Sequence, residues 1–151
     1  MREWLLRAVG VLEIVGGALG LEAALHRLLA VRAPLTVLAA AVAALFFAWA
    51  LLAGVLLIAG SERGLRWSRW VQLLQVPVLS STIASYAVHV GAAVLVLAGF
   101  AWPPAWSLHV SGLSHGWLIG VLGAAPYGSR IGVDALALLA YLVLRLAGGR
   151  A

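Results

Sequence analysis

Charged residues are scarce in this chain, and its middle has none. Ten arginines and five acidic residues occur among 151 residues, and the 60 residues from Trp70 to Ser129 contain no Asp, Glu, Lys or Arg. Water-soluble surfaces need a far larger share of charged side chains. Together with 64% apolar residues and a mean hydropathy of +1.08, this scarcity predicts a protein whose solvent is mainly lipid.

Cysteine is absent as well. Its absence excludes disulfide bonds, thiolate metal sites and cysteine catalysis. There is no basic run or soluble recognition motif, so the net charge of +5 predicts attraction to anionic lipid headgroups and no binding to nucleic acid. Ser80, Ser81 and Ser85 have no identifiable base and orienting acid around them. We therefore expect a protein that is not an enzyme.

Four segments are long and apolar enough to cross a hydrocarbon core about 30 Å thick. Pro34 suits the first turn of a helix, and several tryptophans near the segment ends suit the interfacial aromatic belts. The sequence therefore predicts an all-α integral membrane protein with one domain, residues 1–151, folded as a four-transmembrane-helix bundle. The predicted spans cover residues 4–29, 34–60, 70–100 and 131–147.

Residues 101–130 do not have a helical pattern. Apolar residues at 106, 108 and 110 alternate with polar residues, and Gly112 to Gly116 offers turn residues before a second apolar run. This pattern predicts a short β-hairpin-like segment, about 105–122, outside the membrane between the third and fourth helices. Because the segment is strongly apolar, we expect it to lie against the helix ends or against a partner.

The distribution of arginine predicts the orientation, because cytoplasmic segments are enriched in positive charge. Seven arginines fall on the side of the N-terminus and three on the other side, so both termini are predicted to be cytoplasmic. Glu13 interrupts the first apolar run and argues against a cleaved signal peptide. A chain whose basic residues are all arginine suggests a bacterial protein of the inner (cytoplasmic) membrane.

The third predicted span carries a polar stripe. At 100° per residue its members fall within an arc of about 140°, so this face should point towards protein and not towards lipid. The stripe is either a set of hydrogen bonds between helices or the wall of a polar ligand groove. Its members are Gln72, Gln75, Thr82, Ser85, Tyr86 and His89.

Glu13 lies about 13 Å past Trp4 along the first predicted span, which is close to the middle of a bilayer. A carboxyl at that depth is either protonated or paired, and it is a functional candidate. Glycines 10, 16, 17 and 20 share its helical face and would allow close contact with another helix. Glu13 is therefore either a site for a ligand or proton, together with Gln72, Gln75, Thr82 and Tyr86, or a packing residue bonded to Gln75.

A second group of polar residues is predicted at the outer end of the spans. Two histidines and two carboxyls could ligate zinc, copper or iron, and opposed His26 and His89 could hold haem or a pigment. The alternative is an interfacial network in which Arg130 pairs with one of the carboxyls. The four candidate ligands are Glu22, His26, His89 and Asp134.

The segment Leu12-Glu13-Ile14-Val15-Gly16 places a membrane glutamate in the first span, three residues before a glycine. In this it resembles the small multidrug resistance transporters, in which such a glutamate binds protons and cationic drugs. The resemblance covers about ten residues and implies a mechanism for Glu13 by analogy. The longer chain, the three arginines of the second loop and the outer segment differ from that family.

These patterns leave three functions open. The first is a non-enzymatic membrane protein that acts as an accessory or scaffolding subunit or binds a lipid-like ligand, as a homo-oligomer or within a larger membrane complex. The second is a proton-linked small transporter centred on Glu13. The third is a redox protein that binds metal, haem or pigment through its outer histidines.

Overall fold

The computed structural model describes residues 2–30, 33–100, 102–121 and 128–148. Helices and strands are mixed within this part of the chain. In chain order the elements are α1 (Arg2–Ala30), α2 (Pro34–Ile58), α3 (Glu62–Gln75), β1 (Pro77–Ser80), β2 (Ala84–Gly99), β3 (Trp106–Val121), β4 (Arg130–Asp134) and α4 (Ala135–Gly148).

The predicted four-transmembrane-helix bundle is therefore wrong. The first two predicted spans correspond to α1 and α2, but the third contains the end of α3 and then β1 and β2. Pro77 cannot continue a helix because it lacks an N–H, and the apolar run after it is paired as strand. The fourth predicted span begins as β4 and becomes helical only at Ala135. A uniformly apolar run does not distinguish a strand from a helix.

The predicted β-hairpin at 105–122 is also wrong, because β3 is one continuous strand antiparallel to β2. Gly116, one of the glycines that suggested a turn, has a different role. A Cβ added at Gly116 would lie 2.0 Å from Cε1 of His89, the residue that it pairs with on β2. The glycine thus leaves room for the imidazole within the sheet and does not reverse the chain.

Two of the described helices, α1 and α2, are long and apolar enough to cross a membrane. They pack as an antiparallel hairpin through glycines of α1. A Cβ added at Gly17 would lie 2.8 Å from the backbone nitrogen of Leu51, and one added at Gly20 would lie 2.3 Å from the ring of Phe47. The expected role of the glycine face in close contact between helices is confirmed.

The described strands form an antiparallel sheet in the order β1-β4-β2-β3, and β1 also pairs with the start of β2. The pairings of β1, β4 and β2 therefore close a ring, which requires β2 to bend. Gly91 lies at an irregularity in the β2–β3 register and has a φ of +87°, a conformation that favours glycine.

Helix α1 crosses β2 at this bend. A Cβ added at Gly16 would lie 2.0 Å from the backbone nitrogen of Gly91, and one added at Gly91 would lie 2.8 Å from the carbonyl oxygen of Leu12. The two backbones are thus in direct contact, one helical turn from Glu13. This crossing fixes the position of the sheet relative to α1.

We predict that Gly16→Ala and Gly91→Ala each lower the free energy of unfolding in detergent micelles by about 1–3 kcal/mol, since each forces two backbones apart. At position 91 the positive φ adds to the cost, because alanine disfavours it. Gly112→Ala, where an added Cβ meets nothing within 4 Å, is the matched control and should change stability by less than about 0.5 kcal/mol. If Gly16→Ala and Gly91→Ala are as stable as Gly112→Ala, α1 and β2 are not in contact here.

Candidate functional site

A buried polar cluster joins α1 to α3. Glu13 is fully buried, and its carboxyl accepts one hydrogen bond at each oxygen. Ser68 Oγ donates to Oε2 at 2.6 Å, and Gln72 Nε2 donates to Oε1 at 2.8 Å. Ser68 and Gln72 are four residues apart on α3 and so share one helical face. That face presents two donors to the one carboxyl.

Close backbone packing holds α3 in this position. A Cβ added at Gly64 would lie 2.3 Å from the backbone of Leu56, so α3 lies directly on α2. At the other side of α3, Arg69 donates from Nε and Nη2 to the carbonyl oxygen of Leu144, at 3.1 and 3.0 Å. This cation satisfies a carbonyl in the last part of α4, where a helix favours positive charge.

Gln75 connects α3 to the sheet. Its Oε1 accepts a hydrogen bond from the backbone N–H of Val90 at 2.7 Å, and its Nε2 donates to the carbonyl oxygen of Val71 at 3.1 Å. The sequence suggested Gln75 as the partner of Glu13. The partners are instead Ser68 and Gln72, because Gln75 is committed to β2.

An apolar cavity of about 160 Å³ adjoins the cluster. Gln72 is the one polar side chain among the residues that line it. One of its N–H groups is used by Glu13, which leaves a second N–H and the carbonyl oxygen of the amide. The apolar lining comes from α1, β2 and α4: Leu5, Ala8, Val9, Leu12, Val90, Ala92, Leu136, Ala137, Leu139, Ala140 and Val143.

The cluster can accommodate Glu13 in either protonation state. A hydroxyl carries one donor and two acceptor lone pairs. Ser68 can therefore donate to a carboxylate, as it does here, or rotate and accept the proton of a carboxylic acid. Gln72 donates to the other oxygen in both states. The arrangement is thus suited to binding and releasing a proton without rearrangement of the helices.

Three of the five predicted ligand or proton candidates, Glu13, Gln72 and Gln75, are buried around the contact of α1 with α3 and β2. The other two lie elsewhere. Thr82 is exposed between β1 and β2, and the hydroxyl of Tyr86 donates to the carbonyl oxygen of Leu74 at 2.6 Å. Helical spacing placed the four candidates of the predicted third span, all but Glu13, on one face, but the helix ends at Gln75.

Ser68 was missed in the sequence because it precedes the predicted third span. The signal that could have identified it is its spacing of four residues before Gln72, on the same face of an amphipathic helix. A search for donors that continue a polar stripe beyond the predicted end of a span would have included it.

The four predicted metal or haem ligands have different environments. Glu22 and His26 are exposed on α1, whereas Asp134 is fully buried. Asp134 Oδ1 accepts hydrogen bonds from the backbone N–H groups of Val94, Leu136 and Ala137 at 3.0–3.2 Å, and so caps the start of α4.

His89 is half-buried. Burial lowers the pKa of its imidazole, the charge of Asp134 opposes that shift, and His115 adds to it. Across the described part of the chain, no three His, Asp or Glu side chains are grouped as metal ligands would be. Arg130, the predicted partner of a carboxyl, donates to Ser107 Oγ.

No protein-family model matches the chain, and no curated protein or solved structure matches it either. A function is therefore proposed from the sequence and the structure of the chain.

We predict that Glu13→Leu lowers the free energy of unfolding by about 1–3 kcal/mol, because it leaves Ser68 and Gln72 buried without their acceptor. Glu13→Gln keeps an acceptor oxygen and a similar volume and should cost less. Both can be measured by denaturant unfolding in micelles, with exposed Glu22→Leu on the same helix as the control. An unchanged stability in Glu13→Leu would show that the carboxyl has no buried partner.

Proposed function

We propose that this chain is a small, non-enzymatic membrane protein that binds a lipid-like ligand in the cavity between α1, β2 and α4. The observation that carries the proposal is the composition of the cavity wall, with eleven apolar side chains and one amide. Ligand pockets are typically apolar, with a few polar groups that orient the ligand. An apolar cavity of about 150 Å³ is large enough to bind a molecule of the size of benzene, so this one suits part of an acyl or isoprenoid chain.

The polar edge of the cavity supports a ligand with a polar end. The free N–H and carbonyl of Gln72 can each form one hydrogen bond, which matches a hydroxyl or carboxyl group. Glu13 fixes the orientation of that amide through the bond to Oε1. A wholly apolar ligand would leave these groups unpaired, at a cost of about 1–3 kcal/mol.

The membrane orientation is also proposed. With α1 and α2 as the spans, five arginines (2, 7, 63, 66 and 69) flank the end of the hairpin that carries the N-terminus, and two (27 and 32) flank the connection between the helices. The excess of positive charge supports a cytoplasmic location for the first end. The contact of Arg69 with Leu144 brings the end of α4 to α3, which supports a cytoplasmic location for both termini.

An accessory or scaffolding role in a larger membrane assembly, or as a homo-oligomer, remains compatible with ligand binding. The chain has the apolar exposed surface that such an assembly requires, including Leu35, Leu45 and Leu146, which are more than 70% exposed. Membrane lipids are its immediate partners in either case.

We predict that protein purified in a maltoside detergent binds radiolabelled palmitic acid and hexadecanol. Ala8→Leu and Ala140→Phe fill the cavity and should each weaken binding at least tenfold in an equilibrium assay. Ala18→Leu, on the same helix but outside the cavity, is the matched control and should bind as the unmodified protein does. Equal affinity in the two cavity variants and in the control would show that the ligand does not bind in the cavity.

A proton-linked small transporter centred on Glu13 is the second candidate. The observation that favours it is the Ser68 hydroxyl, which can pair with the carboxyl in both protonation states. The resemblance of residues 12–16 to the small multidrug resistance transporters implies a cationic amphiphile as the exchanged substrate.

For this candidate, we predict that Glu13→Gln abolishes proton release driven by a cationic dye in proteoliposomes that contain a pH-sensitive fluorophore. Its thermal stability should remain close to that of the unmodified protein, because the amide keeps an acceptor for the donors of α3. Ser68→Ala should retain part of the activity. Full activity in Glu13→Gln would exclude the transporter and leave the ligand-binding proposal intact.

A further inference from the structure

Over residues 77–80, 93–99, 106–111 and 130–134, one face of the sheet is entirely apolar. Directly paired residues of antiparallel strands project to the same side, so the register assigns every side chain to a face. Val96 pairs with both Leu108 and Val133, and Ala98 pairs with both Trp106 and Ile131. The members of this outer face are Pro77, Leu79, Val94, Val96, Ala98, Trp106, Leu108, Val110, Ile131 and Val133.

No side chain of the outer face is buried. Trp106, Leu108 and Val110 are 72%, 64% and 72% exposed, whereas Val78 and Leu97 on the opposite, inner face are 2% and 0% exposed. Around Val78 and Leu97 the inner face therefore packs against the rest of the protein, whereas His109 on the β3 part of that face is exposed. The ten side chains come from the paired strands β1, β4, β2 and β3 and lie next to one another. They therefore form one exposed apolar patch, whereas the exposed hydrophobic residues of an ordinary surface are scattered singly.

Every polar side chain of the same strand segments lies on the inner face. The segments are residues 77–80, 93–99, 106–111 and 130–134, and their polar side chains are Ser80, Ser107, His109, Ser111, Arg130 and Asp134. Ser80 and Asp134 are buried, and Arg130 donates to Ser107. An antiparallel sheet in water has the opposite pattern, with its polar side chains outward. A sheet in lipid is apolar outward and polar inward.

We propose that the outer face lies against the acyl chains of the membrane in which α1 and α2 are embedded, a statement that rests on the proposed membrane location. The aromatic residues at one end support lipid as the occupant. Trp102 is 93% exposed and Phe100 58%, next to Trp106, and exposed tryptophans of membrane proteins are enriched at headgroup level. Residues 95–98 of β2 and residues 130–133 of β4 have partner strands on both edges, so their backbone groups are satisfied as lipid requires.

The absence of cysteine makes the test direct, because any single cysteine can be labelled alone. The variants are Leu108→Cys and Val110→Cys on the outer face and Ser107→Cys and Ser111→Cys on the inner face. Each full-length variant carries an environment-sensitive nitrobenzoxadiazole label in phosphatidylcholine vesicles. The measurement is fluorescence quenching by doxyl-labelled phosphatidylcholine and, separately, by aqueous iodide.

We expect the lipid quencher to reduce the fluorescence of the labels at 108 and 110 at least twofold more than at 107 and 111. Iodide should have the smaller effect on the outer pair. Strong quenching of the outer pair by iodide would overturn the proposal. Protection of the outer pair from both quenchers would also overturn it, and would indicate that a second copy or another protein covers the face.

Leu45→Cys on α2 separates this proposal from the membrane location itself, since Leu45 is 73% exposed and should face lipid. If its label is quenched by doxyl lipid but those at 108 and 110 are not, the sheet face alone has been misassigned. If the Leu45 label is not quenched, α2 is not a lipid-facing span, and the proposed location and the lipid contact fail together.

Discussion

The buried carboxyl of Glu13 is the interaction on which the arrangement of the other elements depends. Burial of an unpaired carboxyl costs several kcal/mol, so the chain must bring donors to it. Both donors come from α3, and the same helix reaches α4 through Arg69 and β2 through Gln75. Helix α3, with 14 residues, thus connects α1, α4 and β2. Glu13 determines which face of α3 is turned inwards.

Backbone contacts at glycines make this connection possible. Because Gly16 and Gly91 allow α1 to touch β2, and Gly64 allows α3 to touch α2, the polar side chains of α3 reach Glu13 over hydrogen-bond distances. The side chains of α1, β2 and α4 do not fill the space beside these contacts. What remains is the apolar cavity, with Gln72 at its edge.

Two helices long and apolar enough to cross a membrane, α1 and α2, and the inward orientation of Gln72 could be predicted from composition and helical spacing. The strands could not, because residues 90–99 of β2 are apolar without interruption, and such a run has no period that separates strand from helix. The alternation at residues 106–111 did indicate strand, and its apolar positions are those of the outer face. Thr82 and Tyr86 were assigned to the site by helical spacing that does not apply beyond Gln75.

A double-mutant cycle between Glu13 and Gln72 is the direct test of the hydrogen bond that joins α1 to α3. Glu13→Leu, Gln72→Leu and the double variant are unfolded by denaturant in the same micelles, and the coupling free energy is taken from the cycle. Glu13→Leu leaves Ser68 and Gln72 without their acceptor, Gln72→Leu leaves Oε1 of Glu13 without its donor, and the double variant leaves Ser68 alone unpaired. Because the double variant leaves fewer unpaired buried groups than the two single substitutions together, we expect a coupling of about 1–3 kcal/mol. Additive effects, with a coupling below about 0.3 kcal/mol, would contradict a direct bond between α1 and α3.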